Sequence, residues 1–121
     1  MTESLVKKHC VACEGGEPKA TDAEIARLLP DVSGWQVVEI KVEGESIKSL
    51  QKRIIFRNFR EAMAFLRQVE ELAEAEGHHP DFCVHYRQVD FTLYTHAIKG
   101  LHENDFILAA KTNELVKSTG F

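Results

Sequence analysis

The sequence predicts an α+β fold: two β-hairpins forming an antiparallel sheet with helices on one face, in the order α-β-β-α-β-β-α. Three observations predict it. Two runs with period-two apolar patterning, Trp35 to Phe56 and Phe82 to Ala97, are separated by an apolar stripe at three- and four-residue steps, and helical patterns flank them at both ends. Hairpins divided by a helix close into an antiparallel sheet rather than a parallel nucleotide-binding one.

Residues 1–20 are polar, contain Gly15-Gly16 and Pro18 and show no periodicity, so a flexible N-terminal arm is expected ahead of a single domain over 21–121. Thr21 has Glu24 three places on, the spacing of a capping box, and the apolar residues to Leu29 make a short helix that Pro30 stops. From Trp35 to Val42 the residues Val38, Ile40 and Val42 alternate with polar neighbours; Glu43-Gly44-Glu45 supplies a turn, and Leu50, Ile54 and Phe56 continue the alternation. Asn58 then caps a helix whose stripe is Ala62, Phe65, Leu66, Val69, Leu72 and Ala73, and Gly77 is placed to end it in a left-handed conformation. Val84 and Tyr86 alternate, as do Val89, Phe91, Leu93 and Thr95, with Arg87-Gln88 as the expected turn although it lacks the favoured Gly or Asn. After Gly100 a last helix runs from about His102 to Val116.

At 121 residues the chain is one domain with a modest core, and 44% hydrophobic with 28% charged residues is ordinary globular composition. Fifteen Lys and Arg against nineteen Asp and Glu leave a net charge of −4, which offers no footprint for direct nucleic-acid or anionic-membrane binding. No stretch has the roughly 20 apolar residues of a membrane span, the N-terminus lacks the pattern of a secretory signal, and three cysteines do not form a disulfide framework. A cytoplasmic location is expected. The glycines never form GxGxxG or GxxxxGK[ST], so no phosphate-binding loop is present.

Six histidines remain to be explained, five of which (His78, His79, His85, His96 and His102) fall in one stretch of the C-terminal half. His78 and His79 follow a helix cap and precede Pro80, His96 closes the last predicted strand, and Asp105 lies in the first turn of the last helix. Element ends are where a scaffold exposes functional groups. Imidazoles titrate near neutral pH and share donor and acceptor roles, and carboxylates such as Glu74 and Asp105 orient them.

The run Glu74-x-x-x-His78-His79-Pro80, followed by Tyr86, Val89, Leu93, Thr95-His96, Gly100-Leu101 and Asp105, resembles the signature of the pterin-4a-carbinolamine dehydratases. The likeness covers roughly residues 21–117, including Trp35 and the Phe56/Phe59 pair, and the Cys10-x-x-Cys13-Glu14-Gly15-Gly16 arm is similar to that of many bacterial members. It implies a four-stranded antiparallel sheet with three helices on one face, assembled as a dimer or a dimer of dimers. The activity it implies is loss of water from a 4a-hydroxytetrahydropterin to give quinonoid dihydropterin, recycling the pterin of aromatic amino-acid hydroxylases. On the same resemblance His78, His79 and His96 are the catalytic and substrate-binding triplet, Glu74 and Asp105 position them, and Trp35 is either core packing or a wall of the pterin pocket. His96 or His78 is then expected to be the acid, with His79 holding the ring. Such chemistry requires no metal, nucleophile or redox cofactor. Where the family commonly has Ser or Thr before the last helix this chain has His102, which is expected to weaken the N-cap.

Other readings compete. His78, His79, His96 and an acid lack a helical His-x-x-x-His spacing, and Cys10 and Cys13 with His9 supply fewer than the four ligands of a closed zinc site, so no metal is expected. Cys83 as a nucleophile is set against its reading as a small strand-packing residue, and His85 reads as a solvated or interface side chain. The remaining alternative is a non-catalytic module of the same fold, either a dimerisation cofactor of a transcription factor or an enzyme assembly factor. Retention of all three histidines favours the enzyme.

Overall fold

The computed structural model describes residues 4–12 and 15–119. Its elements are α1 (Asp22–Leu28), β1 (Gln36–Val42), β2 (Glu45–Ile55), α2 (Phe59–Glu76), β3 (Asp81–His85), β4 (Gln88–Leu93) and α3 (Glu103–Thr119), with 3-10 turns at Leu5–Lys7, Leu29–Asp31 and His96–Ile98. The strands form one antiparallel sheet in the order β1-β2-β4-β3, so β4, last in sequence, lies inside it and β3 is an edge. The expected α+β architecture and element order are those observed.

Local chemistry accounts for most boundaries. Thr21 Oγ1 accepts the Glu24 N–H at 3.2 Å while the Glu24 carboxylate accepts the Thr21 N–H at 3.0 Å, a complete capping box. Pro30 has no N–H to continue α1 and sits in the first turn of the 3-10 segment that follows. Glu43 and Gly44 both have positive φ, 51° and 81°, which is the twist a two-residue hairpin loop needs. Asn58 Oδ1 accepts the Glu61 N–H at 2.9 Å to start α2. At its other end Gly77 has φ 64° and ψ 25°, and the N–H groups of Gly77 and His78 both end on the Ala73 carbonyl.

The sheet register puts Leu50, Lys52 and Ile54 of β2 opposite Leu93, Phe91 and Val89 of β4, and Phe82 and Val84 of β3 opposite Phe91 and Val89. This face is covered by the stripe of α2, whose Ala62, Phe65, Leu66, Val69 and Ala73 are buried, and by Phe106, Ile107, Ala109 and Ala110 of α3. Phe91 stands at its centre, edge-on to Phe65 at 6.2 Å and 6.3 Å from Trp35. Truncating such a residue to Ala costs about 3–5 kcal/mol, several times the value of any one cap. Every residue from Asn104 to Ala110 is buried, so the first turns of α3 have no solvent face. α2 and the sheet cover part of this surface, and the Leu5–Lys7 turn of the arm, with Leu5 itself buried, covers more of it.

Several details differ from the sequence reading. Val38 and Ile40 pair with Ser49 and Ile47, whereas Leu50 and Ile54 project to the helix face, so the two apolar patterns of the first hairpin belong to opposite faces. The second hairpin turns at Tyr86-Arg87 rather than Arg87-Gln88, with Tyr86 at φ 56°. A left-handed Tyr carries no sequence signal for a turn. His96 does not close the last strand: β4 ends at Leu93, and residues 95–100 form a loop pinned by Thr95 N–H to Gly100 O at 2.9 Å and its weaker reciprocal at 3.4 Å. Lys99 turns that loop with φ 53°.

Gly77 hands the chain from α2 to His78 in open space, since a Cβ there would meet nothing within 4 Å. Gly77→Ala should therefore cost about 1–2 kcal/mol for conformational reasons alone, with Gly77→Asn costing less, as read by urea denaturation.

Candidate active site

Continuing the β3–β4 register past Asp81↔Thr92 carries His79 and His78 towards Tyr94 and Thr95, and this is how the end of α2 meets the loop after β4. The meeting point is Asp105, with no exposed surface. Its Oδ1 lies 2.6 Å from His78 Nε2; its Oδ2 accepts the Thr95 hydroxyl at 2.9 Å and the His102 N–H at 3.0 Å. A buried carboxylate is costly unless its lone pairs are satisfied, and three donors from three elements satisfy this one. Nε2 of His78 is thereby the donor nitrogen, leaving Nδ1 as its exchangeable position.

The expected weak start of α3 is corrected by the same group. His102 Nδ1 accepts the Asn104 N–H at 3.0 Å while Asp105, the third helical residue, takes the His102 N–H, so an imidazole and an Asp reproduce a capping box. The sequence signal was hidden because His is not a customary cap.

His79 Nε2 lies 2.6 Å from Glu74 Oε2 on an exposed surface. His79, Glu74 and Pro80 form one end of a groove of ≈ 540 Å³ between α2 and edge strand β3, walled by Met63, Leu66 and Phe82 among others. His96 is exposed on its loop, its ring 6.2 Å from that of Tyr94. Burial, aided by Asp81 and Glu43, pushes the Tyr94 hydroxyl up from its ordinary value.

Behind the histidines, Glu76 is all but buried, its side chain 5% exposed. It accepts the Cys10 N–H at 2.8 Å and faces Lys111 Nζ and His9 Nδ1, each at 3.0 Å. Burial pushes its carboxyl up, but these three donors outweigh it and hold the group at about 2. Cys10 is pushed the other way, up to about 12, by burial and then by the charges of Glu76 and Asp105, so its thiol is un-ionised and unreactive.

A family model described as pterin 4 alpha carbinolamine dehydratase matches residues 18–115. The chain belongs to the pterin-4a-carbinolamine dehydratase family. It is 43% identical over 117 residues, 97% of each chain, to a protein of Gloeobacter violaceus (strain ATCC 29082 / PCC 7421) named "Putative pterin-4-alpha-carbinolamine dehydratase 1". It also resembles the crystal structure of a transcriptional coactivator/pterin dehydratase from Brucella melitensis, at 33% identity and TM-score 0.69 over 81% of this chain and 98% of that one.

Of the residues that the dehydratase signature singles out, the structure joins His78 to Asp105 and His79 to Glu74 directly, and places His96 one residue after the Thr95 that binds Asp105. Trp35 is not brought to them: it is 4% exposed in the core, and its indole N–H donates to Asn113 at 3.1 Å. Thr95 was part of the signature without a role and proves to be a ligand of the Asp105 carboxylate. Glu76 and Asn104 went unnoticed, because their arm partners lie 66 and 93 residues away. Cys83 is exposed on the sheet face away from the helices and is not a packing residue, and Cys13 lies outside the described residues. No group of three or more potential metal ligands occurs among the described residues.

Glu76 gives a pH dependence. Its folded carboxyl at about 2 lies below the ordinary 4.5, so its stabilisation is complete above pH 4.5 and drains away as pH falls towards 2. Acid denaturation should show a loss on the order of 3 kcal/mol across that window, and Glu76→Gln should lower stability at pH 7 while flattening the dependence.

Proposed function

We propose that the protein dehydrates 4a-hydroxytetrahydropterins by histidine acid–base catalysis, and so returns pterin to aromatic amino-acid hydroxylases. The observation that carries the reading is the His78–Asp105 pair, one histidine aligned by a buried carboxylate, with His79 and His96 beside it on flanking segments. The reaction breaks the C4a–O bond; the departing hydroxide takes a proton, and a ring nitrogen gives one up, with no change in oxidation level overall. Hydroxide is a poor leaving group, so both proton transfers must accompany cleavage, and two imidazoles near neutral pH suit both.

Asp105 fixes the orientation of the His78 ring through Nε2, and to His78 goes the proton released from the pterin ring. His96, exposed and with no hydrogen bond to its imidazole among the described residues, exchanges with solvent and serves as the acid. His79, held by Glu74, orients the pterin. Purified protein should accelerate the dehydration without added metal, and a chelator should not change the rate. His96→Ala and the double variant His78→Ala/His79→Ala, checked for folding by circular dichroism, should each lose about 10²–10⁴ in kcat/KM; wild-type rates in folded variants would overturn the assignment.

Self-association belongs to the same reading. β3 is an edge strand, and beside it Phe82, Met63 and Phe59 are 47%, 40% and 50% exposed. A second copy of the chain would pair that edge and cover the groove. Light scattering should show a dimer or tetramer, and Phe82→Asp should shift it towards monomer. No helix among the described residues is long and apolar enough to cross a membrane, and a cytoplasmic location goes with this function. The Brucella relative's double name favours one second reading, a coactivator-type interaction module. A stoichiometric protein partner together with an absence of dehydratase activity would establish that reading instead.

A further inference from the structure

We propose that arm residues 8–11 are a clamp that sets the His78–Asp105 pair, and that Glu76 and Asn104 are the positioning residues through which it acts. The inference rests on the dehydratase reading for its kinetic test, though not for its structural one. The arm grips two side chains that flank the pair. Glu76 precedes His78 by two residues across the Gly77 hinge, and Asn104 immediately precedes Asp105.

Asn104, 2% exposed, treats the arm as a neighbouring strand: its Oδ1 accepts the Val11 N–H at 2.9 Å and its Nδ2 donates to the Val11 carbonyl at 2.6 Å. One residue earlier, the Cys10 N–H is held by Glu76 at 2.8 Å, and Lys8 reaches Glu103 at 3.0 Å. The Cys10 thiol, half-buried, points to the Asn104 carbonyl at 3.6 Å. Consecutive arm residues are thus tied to the C-terminus of α2 and to the N-terminus of α3. The gap they bridge is the one across which His78 Nε2 must stay 2.6 Å from Asp105. Further along, the same segment reaches the loop of His96. A side chain at Gly15 would meet the Ala97 carbonyl at 3.4 Å, Lys19 packs on Gly100, and Ala20 donates to Leu101 at 2.7 Å.

The test uses the full chain with Cys13→Ser and Cys83→Ser, which leaves Cys10 as its single thiol. Val11→Pro deletes one clamp N–H at a side chain that is 61% exposed, and so removes no core packing; Glu76→Gln weakens the other anchor. In both variants, shown to be folded by circular dichroism, maleimide labelling of Cys10 should rise at least about 10-fold, and kcat should fall about 10- to 100-fold with a smaller change in KM. The His78 imidazole resonances should shift, a signature that general destabilisation would not produce. Faster Cys10 labelling with unchanged kcat and unchanged His78 resonances would overturn the clamp. If the parent chain shows no dehydratase activity, the functional reading fails, and the clamp is decided by the His78 resonances alone.

Discussion

The Asp105 carboxylate is the interaction on which the rest of the structure depends. It is a charge with no solvent access, and its position is tolerable because His78, Thr95 and His102 each bring it a donor. Those donors come from the end of α2, the end of the sheet and the start of α3. Satisfying one carboxylate therefore fixes how three elements meet. A buried, fully satisfied polar network of this kind specifies geometry more than it adds stability.

The stability that holds the network together comes from elsewhere. Phe91, Phe65, Leu50 and Leu93, almost without exposed surface, press the sheet against α2 and α3. With the helices seated, the hinge at Gly77 and the left-handed turn at Lys99 carry His78 and His96 out of the core on short, determined paths. The arm completes the enclosure. Its Leu5 turn packs on α3, and its backbone donates to the buried Glu76 and Asn104. The same packing leaves α2 and β3 with an apolar groove beside His79.

Much of the fold was legible because its determinants are local. The Thr21–Glu24 box, the Asn58 cap, the α2 stripe and the Gly77 cap each lie within a few residues of what they control, and each is found where the spacing places it. The features that were misread depend on distant partners. His102 reads as a poor cap until Asp105 and Asn104 are seen to use it. Trp35 reads as core packing with a pocket wall as the alternative, and the choice is made where Asn113 on α3 takes its N–H. A Tyr at φ 56° is uphill locally, so the turn at Tyr86 is set by the β3–β4 register rather than by turn chemistry.

The sequence by itself determined the α+β class, the order of the elements and the presence of three histidines and two acids at their ends, since periodicity and capping are short-range properties of the chain. It also carried the family, because the His-His-Pro and Thr-His segments are contiguous in it. Which acid lies against which histidine, which hydroxyl joins them and where the arm packs were decided only by tertiary structure. Asp105 and His78 are 27 residues apart and Cys10 and Glu76 are 66. Hydrogen bonds act over about 3 Å of space, and the chain separation that packing must close leaves no periodic trace.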